Sequence, residues 1–281
     1  MSTTDLAYFT ATQFAGLTTS VINSLTATQV GVLTVAEVGA LSAAQVAALT
    51  VANVAGLTVT TQLPALKSSQ IAAMTTAQVG ALTAAEVGAL TTAQLAGFTA
   101  SQLGTLSAAQ FASLTSTDLG ALSAAQVAGL NTTDLAALDT ATQLTGFKAT
   151  EIAALSGTQA KALTSAAIGA LTTVQIGGLS AAAFSALTTT QVGALTTAQI
   201  GVLSKTQIGG LTTTEIGYLT TTQVAGLSTT GIAGLSVAQI TAVSTADISA
   251  LTSVQGNAFT SVQINSMTTA QSNALFTVVH S

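Results

Sequence analysis

The feature that most constrains this chain is an apolar residue that returns every eighth position. It runs from Phe9 through Leu17, Leu25, Leu33, Leu41, Leu49 and Leu57, resumes at Leu66 and continues by eights to Leu138, then resumes at Phe147 and continues by eights to Leu275. Counted from a hydroxyl residue to its anchor, residues 2–275 divide into 34 units: 32 of eight residues and two of nine, at 58–66 and 139–147. Burying one Leu and one Val contributes about 1.5–3 kcal/mol each. Ordering the unit costs about 1.5 kcal/mol per residue. A lone unit therefore does not fold, and stacked neighbours must supply the rest. Residues 1–275 are expected to form a single repeat solenoid, with 276–281 as a C-terminal tail.

The commonest unit reads Ser/Thr-x-x-Gln-Val/Ile-Gly/Ala-Ala/Gly-Leu. A hydroxyl followed three residues later by Gln is a capping box, in which each side chain bonds the other's backbone N–H. The Leu before the hydroxyl and the Val/Ile after the Gln form a hydrophobic staple. Departures keep this chemistry. Asn131 and Asp139 replace the cap hydroxyl, and both are good N-caps. Asp5, Glu37, Glu86, Asp118, Asp134, Glu151, Glu215 and Asp247 replace the Gln, where a carboxylate suits the positive end of a helix. The expected fold is all-α, a solenoid of very short helices. A β-solenoid is the alternative, because Thr, Val and Ile favour strands, Gly is poor in helices, and Pro64 falls inside a unit. Against it, the two apolar columns lie three and five residues apart, which puts them on opposite faces of a strand.

A second periodicity lies beneath the first. Every even-numbered unit carries Gln in the third column, whereas among odd units only Gln70, Gln102, Gln199 and Gln263 do, and all eight acids fall in odd units. The expected coil is therefore two units, 16 residues, in the helical and the strand reading alike. Even-column Gln is expected to be enclosed and the odd column to face water. The residue after Val/Ile is mostly Gly or Ala, suited to close backbone approach. It becomes polar at Asn23, Asn257, Asn265 and Asn273, and the apolar residue before it is lost at Gly256 and Ser272. Those units are expected to act as end caps.

Composition narrows the function. Only 13 of the 281 residues are charged, 4 basic and 9 acidic, for a net charge of −5. Four basic residues argue against nucleic acid, whose binding rests on Lys and Arg at phosphates. Disorder needs low hydrophobicity and high charge, and this chain has neither. A membrane span needs about 20 apolar residues in a row. Here no run exceeds four. With no Cys and one His, neither a disulfide framework nor a zinc site is expected.

The residues that could carry chemistry all have a plainer reading. His280 is penultimate and reads as a frayed end. Asp118 and Asp134, expected one coil apart, read as a solvated face. The many Ser and Thr lack the adjacent base that a nucleophile needs. Lys67 and Lys148 each replace a cap hydroxyl directly after a nine-residue unit, as though the extra residue removed the need for a cap. No catalytic, cofactor-binding or metal-binding residue is expected, and no enzyme.

The expected 16-residue coil of two octads resembles bacterial ice-nucleation repeats in period, without their Gly-Tyr-Gly-Ser-Thr steps. Across units 1–34, in composition and repeat style, the chain resembles the low-charge, cysteine-free, Thr/Ala-rich octapeptide repeats of large secreted or surface proteins of bacteria. That resemblance implies an extracellular or cell-surface location and export by an uncleaved C-terminal signal, which Phe276–Ser281 fits. Met1–Phe9 has neither the basic region nor the apolar core of an N-terminal signal. The expected function is a structural one: a self-associating fibre or surface-layer subunit whose partner is itself. The alternatives are an adhesin module for polysaccharide or ice and an intracellular scaffold.

Overall fold

The computed structural model describes residues 2–280. Each of the 34 units contributes one helix: 32 are α-helices and two are 3-10 turns, and no strand occurs among the described residues. The capping box sets where each helix starts. At Ser123 the backbone is extended (φ −79°, ψ 160°), and its Oγ accepts the Gln126 N–H at 3.3 Å. Gln126 Oε1 in turn accepts the Ser123 N–H at 2.8 Å. The anchor ends the unit in an extended corner, as at Leu41 (φ −55°, ψ 138°). Val127 and Leu130 face inward, and both columns line the core except near the ends, where Ile264 is exposed and Phe9, Leu17 and Met267 are half-buried. No described residue has positive φ. The corner is thus made by extended anchor and cap residues, which is why it needs no Asn or Asp.

The nine-residue units keep the box by moving it one place. Thr58 N–H donates to Gln62 Oε1 at 2.9 Å and Gln62 N–H donates to Thr58 Oγ1 at 3.1 Å, four residues apart. The extra residue is taken up before Leu63–Ala65, a 3-10 turn with Pro64 near its start, where a missing N–H costs little. The second long unit repeats the pattern, with Asp139 N–H on Gln143 Oε1 and a 3-10 turn at Leu144–Gly146.

The chain divides into two compact units, Met1–Phe147 and Lys148–Ser281, the first closing at the end of the second nine-residue unit. Within each, helices pack on the third helix before them. In the first, Val35–Ala40 packs on Ala11–Ala15 and Ala108–Ala112 on Ala84–Gly88; in the second, Thr173–Gly178 packs on Ala149–Ile152. Side chains bridge residues 28 apart, such as Gln45 to Leu17. One coil therefore takes about 28 residues, or three and a half eight-residue units. The 16-residue coil expected from the Gln pattern is overturned. Each corner turns the chain through a little over a right angle, so two units cannot close a circle around the apolar columns.

Small residues occupy the column where coils meet. A Cβ on Gly97, Gly129 or Gly146 would overlap the backbone of Ser68, Ala100 or Ser116 respectively, about one coil earlier. At the C-terminal end no hydroxyl follows Leu275; Phe276 stands in the cap column. Nothing stops the helix there, and it runs from Thr269 to His280. Residues 276–280 thus continue the last helix. Leu275, Val278 and Val279 fill the space over Gly256, whose unit lacks the usual Val or Ile. Asn23, Asn257, Asn265 and Asn273 are all exposed.

Candidate functional site: the side-chain ladder

A helix of four to six residues leaves its last carbonyls without intrahelical partners. The Gln column meets that need. Gln126 Nε2 donates to the carbonyls of Leu95 and Phe98, both at 2.9 Å, while its Oε1 holds its own cap. Gln102 does the same to Ile71 (3.0 Å) and Met74 (2.6 Å), and Gln239 to Ile208 (2.8 Å) and Leu211 (2.6 Å). Only an amide accepts at one atom and donates twice at the other. One side chain thus caps the start of its own helix and the end of the helix four units before.

Even and odd columns do not differ in burial, contrary to the expectation of a water-facing odd side. Gln102 and Gln126 are both buried, as are Glu37, Glu86, Asp118, Asp134, Glu151, Glu215 and Asp247; Asp5 is exposed. What differs is the donor set. Glu86 Oε2 accepts the Thr83 N–H at 2.5 Å, and Glu215 Oε2 accepts from the N–H and hydroxyl of Thr212 at 2.7 and 2.9 Å. An ionised carboxylate keeps the cap but has no N–H for the carbonyls of the preceding coil.

Three positions show local compensation. Asn53 Nδ2 donates to Leu25 O at 2.9 Å. Asp247 Oδ1 accepts the hydroxyl of Thr221 at 2.8 Å. At Asp134 the cap residue supplies the amide: Asn131 Oδ1 accepts the Asp134 N–H at 2.8 Å. Its Nδ2 lies 2.7 Å from Asp134 Oδ2 and 3.3 and 3.4 Å from the carbonyls of Gly104 and Leu106. Asp134 Oδ1 is left as the buried side-chain atom without a partner among the described residues. Burial pushes this carboxyl up to about 6, against the pull of the Asn131 hydrogen bond.

The signal for this arrangement was in the sequence at a spacing of four units. Gln70, Gln102, Gln199 and Gln263 fall in units 9, 13, 25 and 33, a single row when units are read in fours. The other odd row reads Val21, Asn53, Glu86, Asp118, Glu151, Ala183, Glu215, Asp247 and never carries Gln. Four is even, so a four-unit link preserves the parity that suggested a two-unit coil. Asp118 and Asp134 belong to different rows and are not one coil apart; Asp118 Oδ2 accepts from the N–H and hydroxyl of Thr115 instead.

The remaining sequence candidates are structural. Lys67 and Lys148 stand at N-caps without a side-chain cap bond. Their N–H groups still donate to Gln70 Oε1 at 2.6 Å and Glu151 Oε2 at 2.7 Å, and Lys148 Nζ pairs with Glu151 Oε1 at 3.4 Å. The His280 ring lies 4.1 Å from that of Phe276, its Nδ1 2.8 Å from the Phe276 carbonyl oxygen. Among the described residues no group of three or more His, Cys, Asp or Glu could hold a metal ion, and no helix is long and apolar enough to cross a membrane.

Two segments, residues 60–92 and 173–205, match the family model described as ALTTAQ repeat. Each match spans 33 residues, about four units, the reach of one ladder step. The chain is a repeat protein. No curated protein and no solved structure matches it.

Proposed function

We propose that this chain is a structural protein that associates with further copies of itself, as a subunit of an extracellular fibre or surface layer. One observation carries the reading: most Gln side chains are committed to the internal ladder, and most of the acids are buried at their own helix starts. What remains outside is mainly Ala, Thr and Ser, with scattered exposed side chains such as Val174, Val254 and Val262. With 13 charged residues in 281 and seven of the nine acids buried, the surface offers little repulsion between copies. The partner on this reading is a second copy, no cofactor takes part, and the protein is not an enzyme. Export to the cell surface is part of the same proposal.

The test is light scattering and low-magnification electron microscopy of purified protein in buffer containing chelator, at low and high salt. Filaments or sheets are expected in both. Few charges are available to be screened, and the acids are separated along the ladder and do not form an oxygen-rich cage. A chain that stays monomeric at high concentration overturns the proposal and favours the polysaccharide- or ice-binding alternative.

A further inference from the structure

We propose that Asn131 and Asp134 form a proton-sensitive step in the ladder of the first compact unit, which tightens when Asp134 takes up a proton. Three observations support it. Asp134 Oδ1 is buried with no donor. One row earlier, the Gln102 amide at this position donates to the carbonyl oxygens of Ile71 and Met74, four units before it. Asn131, which stands in for the missing Gln amide, holds the anchor carbonyl of Leu106 at 3.4 Å, where Gln102 and Gln126 hold the matching carbonyls of Met74 and Phe98 at 2.6 and 2.9 Å. Ionised, the Asp134 carboxylate adds another acceptor to a set already short of donors. Protonated, it gains an O–H and becomes the donor that the position otherwise carries as Nε2.

The surroundings do not supply a competing charge. The helix Thr132–Ala136 packs on Ala108–Ala112, which has no titratable residue, and the unit that ends in Leu106, 99–106, has none either. Asp139, the nearest acid along the chain, is exposed, and its Oδ1 accepts the Thr142 hydroxyl at 2.8 Å. Asp118 is tied to Thr115. The sign follows from linkage. A carboxyl whose folded value is raised to about 6 binds its proton more tightly folded than unfolded. Stability is then highest with the proton bound and is lost as pH rises from about 4 to about 6.

The experiment compares the full-length protein with D134N and with the double variant N131T/D134Q, which restores the common cap and amide. Thermal unfolding is followed by circular dichroism from pH 4 to pH 7.5, and carboxyl carbon resonances are titrated by NMR. The wild type is expected to melt several degrees lower at pH 7.5 than at pH 4.5. D134N and N131T/D134Q are expected to lack most of that dependence, and one carboxyl resonance with a midpoint near 6 is expected to vanish in both. Melting profiles that superimpose for all three proteins overturn the proposal. So does a wild-type spectrum with no carboxyl titrating above the ordinary range.

Discussion

Gln126 and Phe98 join one coil to the next: Nε2 of Gln126 donates to the carbonyl oxygen of Phe98 at 2.9 Å, across 28 residues of chain. The contact repeats within each compact unit, as from Gln94 to Leu66 in the first and from Gln271 to Val243 in the second. It makes the third column of the unit the residue that determines stacking.

Replacing that amide by a carboxylate should therefore cost stability in either parity. Gln126→Glu and Gln102→Glu are each expected to destabilise by about 1–3 kcal/mol at neutral pH, because two carbonyls lose their donor and gain an acceptor. Thermal melts of the two variants check this. A large loss for Gln126→Glu with none for Gln102→Glu would restore the idea of a wet odd side.

The reverse change should stabilise. In Glu86→Gln the new Nε2 comes to lie over the carbonyls of Val54 and Leu57, the positions that Gln78 and Gln94 reach in their own rows. A gain of about 0.5–1.5 kcal/mol is expected from urea unfolding.

Glycine replacements separate close approach from helix propensity. Gly146→Ala puts a Cβ into the Ser116 backbone and is expected to cost about 1–3 kcal/mol. Gly193→Ala meets nothing within 4 Å and should be neutral or stabilising by up to about 1 kcal/mol. Similar melting temperatures for the two variants would show that the coils are not in close contact at Gly146.

Lys67 tests whether a helix that follows a long unit can do without a cap. Gln70 N–H finds Lys67 O and no side-chain oxygen. Lys67→Thr supplies the hydroxyl and is expected to stabilise by about 1 kcal/mol, read from chemical denaturation. No change would mean that the extra residue of unit 58–66 has already satisfied this helix start.

Asp139 and Asp134 should pull stability in opposite directions with pH. The N–H and hydroxyl of Thr142, with the N–H of Ala141, hold the Asp139 carboxyl below its ordinary value. A depressed folded-state value gives stability that is present above the ordinary range and lost as pH falls through it. Asp139→Asn is expected to flatten the acid limb of the stability profile, while Asp134→Asn flattens the limb between about pH 4 and 6.

The sequence by itself determined the local structure. Ser123 and Gln126, three residues apart, carry their capping box wherever the unit goes, because its bonds are closed within one turn of helix. Val127 and Leu130 likewise had to face inward, since no other apolar surface was available to cover them. Even the exception at Pro64 was marked by the ninth residue of its unit. Only the tertiary structure decided how many units make a coil. That number depends on the angle at each extended corner, which no spacing along the chain states, and the even–odd Gln pattern fits a four-unit link as readily as a two-unit repeat. The acids show the same division. Glu86 reads from sequence as a favourable charge at a helix start, and so it is for its own helix. Which part of the earlier coil it faces follows from the coil's pitch, and so does the fate of Asp134, whose Oδ1 is buried without a partner while Asn131 reaches the carbonyls of Gly104 and Leu106 from the cap position.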